Sequence, residues 1–154
     1  MSQSLPVVYI VGGGFAGLAA AEALKDSAVQ VTLIDRRNYY VFQPLLYQVA
    51  TAALSPADIS APIRTILRGQ KNCRVVLGEI IGVDLAGRQL KMRGGHVCYD
   101  YLILASGATH AYFGHEEWAP IAPGLKGIED ATELRRRILL AYESAEYEAS
   151  EEAR

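Results

Sequence analysis

Between Val7 and Asp35 the chain carries an order of residue types that only one local fold accommodates. Val7-Val8-Tyr9-Ile10-Val11 is an apolar, β-branched run that reads as a strand. Gly12-Gly13-Gly14-Phe15-Ala16-Gly17 follows in the pattern G-x-G-x-x-G. The stretch from Phe15 to Lys25 is rich in the helix formers Ala and Leu, and Asp26-Ser27 closes it. Val29 to Ile34 is a second apolar run, and it ends on Asp35. This is a βαβ unit shaped to hold the pyrophosphate of a dinucleotide. Gly12 permits a tight turn out of the strand, Gly14 lets a phosphate approach the backbone, and Gly17 lets the helix pack close to the sheet. The N–H groups and positive dipole end of a helix starting near Gly14 would face the phosphates. Asp35 stands near the roughly 20-residue offset expected of an acid that hydrogen-bonds ribose hydroxyls. The motif alone leaves NAD and FAD both open.

The rest of the composition narrows the class. A chain of 154 residues fits one domain and can bury a real core. Hydrophobic residues make up 51% and charged residues 21%, a globular balance rather than a disordered one. With a net charge of −2 there is no basic patch to suggest nucleic acid. No segment is long and apolar enough to cross a bilayer. The first strand begins at about Pro6, which leaves no room for a secretory signal, so a cytoplasmic location is expected. Cys73 and Cys98 form no C-x-x-C pair and read as structural thiols, which argues against a dithiol reductase.

Residues 36 to 54 form an aromatic and amide-rich loop without clear period, and a long ordered loop of this kind points to function. A short helix is predicted from Ala61 to Arg68, with Ser60 as N-cap, Pro62 in its first turn, Gly69 at its end and Ile63, Ile66 and Leu67 as its buried stripe. From Cys73 to Asp100, short strands alternate with turns at Ala86-Gly87 and Gly94-Gly95 and read as a three-stranded antiparallel meander. Tyr101-Leu102-Ile103-Leu104 is apolar on both faces, as a central strand of a parallel sheet must be. It ends in small residues, Ala105-Ser106-Gly107-Ala108, at the strand edge where α/β sheets bind ligands. Asp130-Ala131-Thr132-Glu133 resembles a capping box, opening a helix with Leu134, Ile138, Ala141, Tyr142 and Ala145 on one face. The acidic tail, residues 143 to 154, reads as frayed helix or disorder.

Four segments carry a family resemblance: Ile10 to Gly17, Val31 to Arg36, the loop Phe42-Gln43-Pro44-Leu45-Leu46-Tyr47-Gln48-Val49-Ala50, and Tyr99 to Ala108. With Ala122 to Arg137, they make the chain resemble the type II NADH dehydrogenases, single-polypeptide flavoproteins that pass electrons from NADH to quinone. The resemblance covers nearly the whole chain, and the Pro-Leu-Leu-Tyr-Gln loop is its most specific part. It implies an α/β, Rossmann-like FAD-binding domain over residues 1–110, with a parallel sheet and the inserted meander at 73–100. Residues 111–154 would be a connecting segment and a helix leading to an NADH-binding domain.

The resemblance also implies that the glycine fingerprint takes FAD. Gly12, Gly14, Phe15, Ala16 and Gly17 would then face the pyrophosphate, and Asp35 the adenosine ribose. Arg36 would flank the adenine and the Ile80 backbone would contact it. Pro44, Leu45, Gln48 and Thr51 would lie near the flavin. Ala105, Ser106 and Gly107 stand where the wider superfamily has an Ala-Thr-Gly turn, and serine keeps the hydroxyl. No side chain is set up as a nucleophile or strong base, so no catalytic residue is expected. His110, His115, Glu116 and Glu117 lack a second cluster that would complete a metal site.

Only one G-x-G-x-x-G occurs in the chain. A second, NADH-binding domain, a later Gly-Asp strand and a C-terminal membrane-anchoring region are therefore expected elsewhere in a longer, peripheral enzyme on the cytoplasmic side of the membrane. NADH and quinone would be partners of that enzyme, and this chain alone would be inactive and open to self-association along its sheet edge. A stand-alone FAD-binding module, or a ferredoxin-type or sulfide:quinone reductase, are the alternatives. The Pro-Leu-Leu-Tyr-Gln loop and unpaired cysteines weigh against the reductases.

Overall fold

The computed structural model describes residues 4–148 and residue 150. In chain order the first half forms β1 (Val7–Val11), α1 (Phe15–Ala23), β2 (Gln30–Asp35), β3 (Tyr39–Val41), α2 (Leu46–Ala50), β4 (Ser60–Pro62) and α3 (Ile63–Ile66). The second half forms β5 (Cys73–Leu77), β6 (Ile80–Asp84), β7 (Gln89–Met92), β8 (Gly95–Cys98), β9 (Tyr101–Leu104) and α4 (Ile128–Tyr147). The chain divides into two compact units, Met1–Tyr40 with Ala61–Ala108, and Val41–Ser60 with Thr109–Arg154. β3 and β4 pair as a two-stranded sheet where the chain leaves the first unit and returns to it.

The first unit is built on a four-stranded sheet in the order β5-β2-β1-β9, so Tyr101–Leu104, expected inside the sheet, is its edge strand instead. Every pairing in it is parallel. In register, Val8 stands beside Val31 and Ile10 beside Leu33. Those four side chains are buried on one face together with Leu18 and Ala21 of α1, Ile63 of α3, and Leu67. On the opposite face Tyr9 and Ile34 pack against Leu90 of β7. The sheet is thus apolar on both sides because it has a helical layer on one and a small sheet on the other.

α1 ends at Ala23, and its last carbonyls run out of regular helical partners, the Ala21 carbonyl keeping only a tighter bond from the Leu24 N–H at 3.1 Å. Two side chains from the stretch before β5 supply them. Gln70 Nε2 donates to the Ala21 carbonyl at 2.8 Å. Asn72 Nδ2 donates to Leu24 at 2.9 Å and to Ser27 at 3.2 Å. A buried glutamine is tolerated here because its amide is satisfied.

Several local expectations change. Cys73–Leu77 pairs with β2 in the parallel sheet, so the antiparallel meander is β6-β7-β8, starting at Ile80. The helix expected over 61–68 shrinks to Ile63–Ile66. Ser60–Pro62 is drawn into pairing with β3 instead, and the Ile63 N–H goes to the Asn38 carbonyl at 3.1 Å. Of its expected stripe, Ile63 and Leu67 are buried while Ile66 is exposed.

The second unit buries Leu46, Val49 and Ala50 of α2 with Ile59 and with Ala131 of α4. The aromatic loop therefore contains a helix turn, which its sequence hid because five residues are too few to display a period. α4 starts two residues before the expected Asp130. Asp130 Oδ2 reaches back to accept the Lys126 and Gly127 N–H groups, each at 2.9 Å, so it serves inside the first turn rather than as the cap. Helix persists to Tyr147, and the end of the acidic tail, 149 and 151–154, lies outside the described residues. Among the described residues no helix is long and apolar enough to cross a membrane.

Candidate functional site

The carboxyl ends of β1, β2 and β9 meet in the first unit, and the glycine fingerprint sits on them. β1 ends at Val11, which is in register with Ile34 of β2 and with Leu104 of β9. Gly12 then turns the chain with φ +105°, a conformation that favours glycine. A side chain there would also run into the Ala105 carbonyl. The turn is pinned on both sides, with Gly12 N–H donating to Ile34 O and Ala105 N–H to Val11 O, each at 2.8 Å. Gly17, one turn into α1, lies so close to the strand that a Cβ would fall on the Gly12 carbonyl. Helix and strand can approach this tightly only without that carbon.

Gly14 differs from both. It is the N-cap of α1, with φ −81° and ψ −162°, and the space a Cβ would enter holds no atom within 4 Å. No side chain caps α1, and its first turn carries no acid to neutralise its dipole. The helix therefore presents positive potential and backbone donors to open space, the arrangement that suits a phosphate.

Asp35, at the end of β2, is turned toward the fingerprint. Its Oδ2 accepts the Gly13 N–H and its Oδ1 the Arg37 N–H, both at 2.6 Å. A carboxylate offers about four lone-pair directions, so two backbone bonds leave capacity for hydroxyl donors. Its carbonyl accepts from Gly78 N–H at 2.9 Å, which brings the segment leading to Ile80 alongside. Ile80, half-buried at the start of β6, pairs with Met92. Arg36 is exposed beside Asp35. Phe15 is half-exposed and meets the Tyr40 ring edge-on, with centroids 5.4 Å apart. Ala16 follows it in the first turn of α1. Past β9, Ala105 is half-buried while Ser106 and Gly107 are exposed, and Gly107 takes φ +74°.

Eleven of the expected positions therefore belong to the first unit: Gly12, Gly14, Phe15, Ala16, Gly17, Asp35, Arg36, Ile80, Ala105, Ser106 and Gly107. Pro44, Leu45, Gln48 and Thr51 belong to the second unit, within one short stretch of helical turns. There Gln48 Nε2 donates to the Tyr47 hydroxyl and Thr51 Oγ1 to the Tyr47 carbonyl, each at 3.0 Å. Sequence reasoning overlooked Gly13 and Ile63. A Cβ on Gly13 would lie 2.5 Å from Ile63 Cδ1, so the fully buried Ile63 is the floor of the fingerprint loop. The run of three consecutive glycines was the available signal for Gly13. Nothing local could have announced Ile63.

The sequence matches the pyridine nucleotide-disulphide oxidoreductase family over residues 6–142. It is similar to two type II NADH:quinone oxidoreductases of Mycobacterium tuberculosis. NdhA is 51% identical across 90% of this chain and 30% of that protein. Ndh is 47% identical across 96% of this chain and 33% of that protein. Among solved structures, NDH2 of Plasmodium falciparum in complex with RYL-552 is similar with a TM-score of 0.84 at 26% identity, covering 96% of this chain and 31% of that one. The chain spans about a third of the length of the curated relatives it matches.

Proposed function

The chain belongs to the pyridine nucleotide-disulphide oxidoreductase family, and on that premise we propose that it is the FAD-holding part of an NADH:quinone oxidoreductase. The observation that carries the reading is the open space at Gly14 in front of an uncapped α1, bounded by the pinned turn at Gly12 and by Asp35. Residues of this kind fit a dinucleotide: donors without bulk for the pyrophosphate, and an acid with free lone pairs for a ribose.

In this reading Gly12, Gly14, Phe15, Ala16 and Gly17 hold the pyrophosphate through backbone and dipole. Asp35 orients the adenosine ribose, while Arg36 and the backbone of Ile80 flank the adenine. Pro44, Leu45, Gln48 and Thr51, with the Ala105-Ser106-Gly107 turn, are assigned to the flavin side. The bound flavin would supply the redox chemistry, taking hydride from NADH and giving electrons to a quinone. The protein's own task is to bind and orient. The relatives, named for NADH and quinone, support that direction of electron flow.

Titrating the purified chain with FAD, and following the flavin absorbance and its co-elution with protein, tests the reading. Saturable uptake is expected. Gly14→Ala should weaken it about tenfold or more, because the new methyl enters the space assigned to phosphate, while the fold loses only about 1 kcal/mol from a poorer cap. A folded chain that takes up no FAD, or prefers NAD, sinks the proposal. Because the chain carries one glycine fingerprint, NADH should not bleach the bound flavin at an enzyme-like rate. Rapid bleaching would show that this chain turns over alone.

A further inference from the structure

At the opposite, amino-terminal end of the same sheet lies a cavity of about 690 Å³, within the size range of small-molecule sites. The register lines up Tyr9, Thr32 and Arg74 across β1, β2 and β5, so their side chains stand on one face. All three line the cavity, with Val7, Lys71 and Cys98. Tyr9 is only 8% exposed and Thr32 only 6%. Neither hydroxyl makes a hydrogen bond among the described residues, although buried tyrosine and threonine hydroxyls normally find a partner. Among the described residues no enclosed side-chain oxygen is left unsatisfied, so both hydroxyls keep an opening, and the cavity is the space they line. Among the described residues Lys71 and Arg74 have no carboxylate partner and no acid lines the cavity.

Two unpartnered hydroxyls, two uncompensated cations and an apolar wall ask for one kind of ligand. We propose that this cavity binds a small organic oxyanion, a carboxylate or phosphate monoester on an apolar body. The anion meets Arg74 and Lys71 and accepts from the Thr32 and Tyr9 hydroxyls, and the body lies along Val7 and the Tyr9 ring. Charge-assisted hydrogen bonds from a guanidinium supply the affinity, and the partly enclosed hydroxyls supply the specificity. The site lies away from the dinucleotide residues and does not depend on their assignment.

Cys98 is the exposed one of the chain's two thiols and reports on occupancy. Burial pushes the Cys73 thiol up, which slows its reaction and keeps the two distinguishable by peptide mass. The test measures alkylation of Cys98 by an uncharged maleimide against rising benzoate, phenyl phosphate, inorganic phosphate or benzyl alcohol. Saturable protection by benzoate or phenyl phosphate is expected, and the comparison of the two identifies the preferred head group. Arg74→Gln should raise the half-protecting concentration about tenfold, and the near-isosteric Thr32→Val several-fold, with unfolding midpoints retained. Equal protection by inorganic phosphate or benzyl alcohol, protection indifferent to Arg74→Gln, or no protection at all overturns the proposal. Equilibrium dialysis of benzoate against the wild-type chain gives a second reading that does not depend on the thiol.

Discussion

Gly17 and Gly14 lie three positions apart and place opposite demands on a methyl group. At Gly17 a Cβ would sit on the Gly12 carbonyl, an atom of the pinned backbone turn that cannot swing aside. Gly17→Ala is therefore expected to lower stability by about 3 kcal/mol, the upper range for forcing extra volume into a packed contact, read as a fall in the denaturant midpoint. Gly14→Ala should fold nearly normally and fail at ligand uptake. A pair of variants that lost stability equally would show that Gly14 is structural too. Asp35 carries both roles, since its carboxylate holds Gly13 and Arg37 at 2.6 Å. Asp35→Ala should cost about 1–3 kcal/mol before any ligand is added, because two backbone donors lose a charged acceptor. An unchanged midpoint in the absence of FAD would confine Asp35 to the ligand.

Among the elements, α1 depends on a distant segment for its closing turn. Gln70→Ala removes the side-chain donor to the Ala21 carbonyl, which then keeps only the Leu24 N–H at 3.1 Å, at a cost of about 1 kcal/mol. Amide exchange in α1 should quicken before that in the sheet strands, and uniform quickening would contradict a local role. α4 is held differently. Its Glu133 receives Arg136 at 2.7 Å and Arg137 at 2.9 Å, and these two guanidiniums pull its carboxyl down to about 2 from an ordinary 4.5. The folded value is the lower one, so the contribution is present above pH 4.5 and is lost as pH falls toward 2. The group is exposed, so the effect is small and screened by salt. The stability difference between wild type and Glu133→Gln should shrink across that window and in high salt. A difference that stayed constant with pH would assign it to helix propensity instead.

For the whole molecule the informative surface is the free edge of the parallel sheet. β9 pairs with β1 on one side, and no strand pairs with it on the other among the described residues. Tyr101 and Leu104 on that strand are both about three-fifths exposed, at 62% and 61%. An uncharged apolar edge is a template for pairing with another chain. Concentration-dependent self-association is expected in sedimentation, and Leu104→Lys should move the chain toward monomer. A wild-type chain that stays monomeric at high concentration rules this out.

The order of local elements around the fingerprint was legible from Val7 to Asp35. The reason is that its determinants are local: two continuous apolar runs buried on both faces, three glycines with separate steric duties, and an acid at a fixed offset. Tyr101–Leu104 was legible as a strand of the parallel sheet from its apolar run, but its place at the edge beside β1, rather than inside the sheet, was not. Other choices needed a partner far along the chain. Cys73–Leu77 looks like part of the meander in sequence, yet β2 claims it, with all five residues in parallel register beside Val31–Asp35. Ser60–Pro62 looks like a helix start until β3 lies next to it. Ile63 supports the fingerprint loop from fifty residues away, a contact that no spacing rule encodes. Nor could the sequence announce that Tyr9, Thr32 and Arg74 line one cavity, because that follows from strand register, which pairing between distant segments sets. The sequence by itself determined the dinucleotide cradle. Tertiary structure decided its supports and the second cavity, because both are made of contacts between segments that meet only on folding.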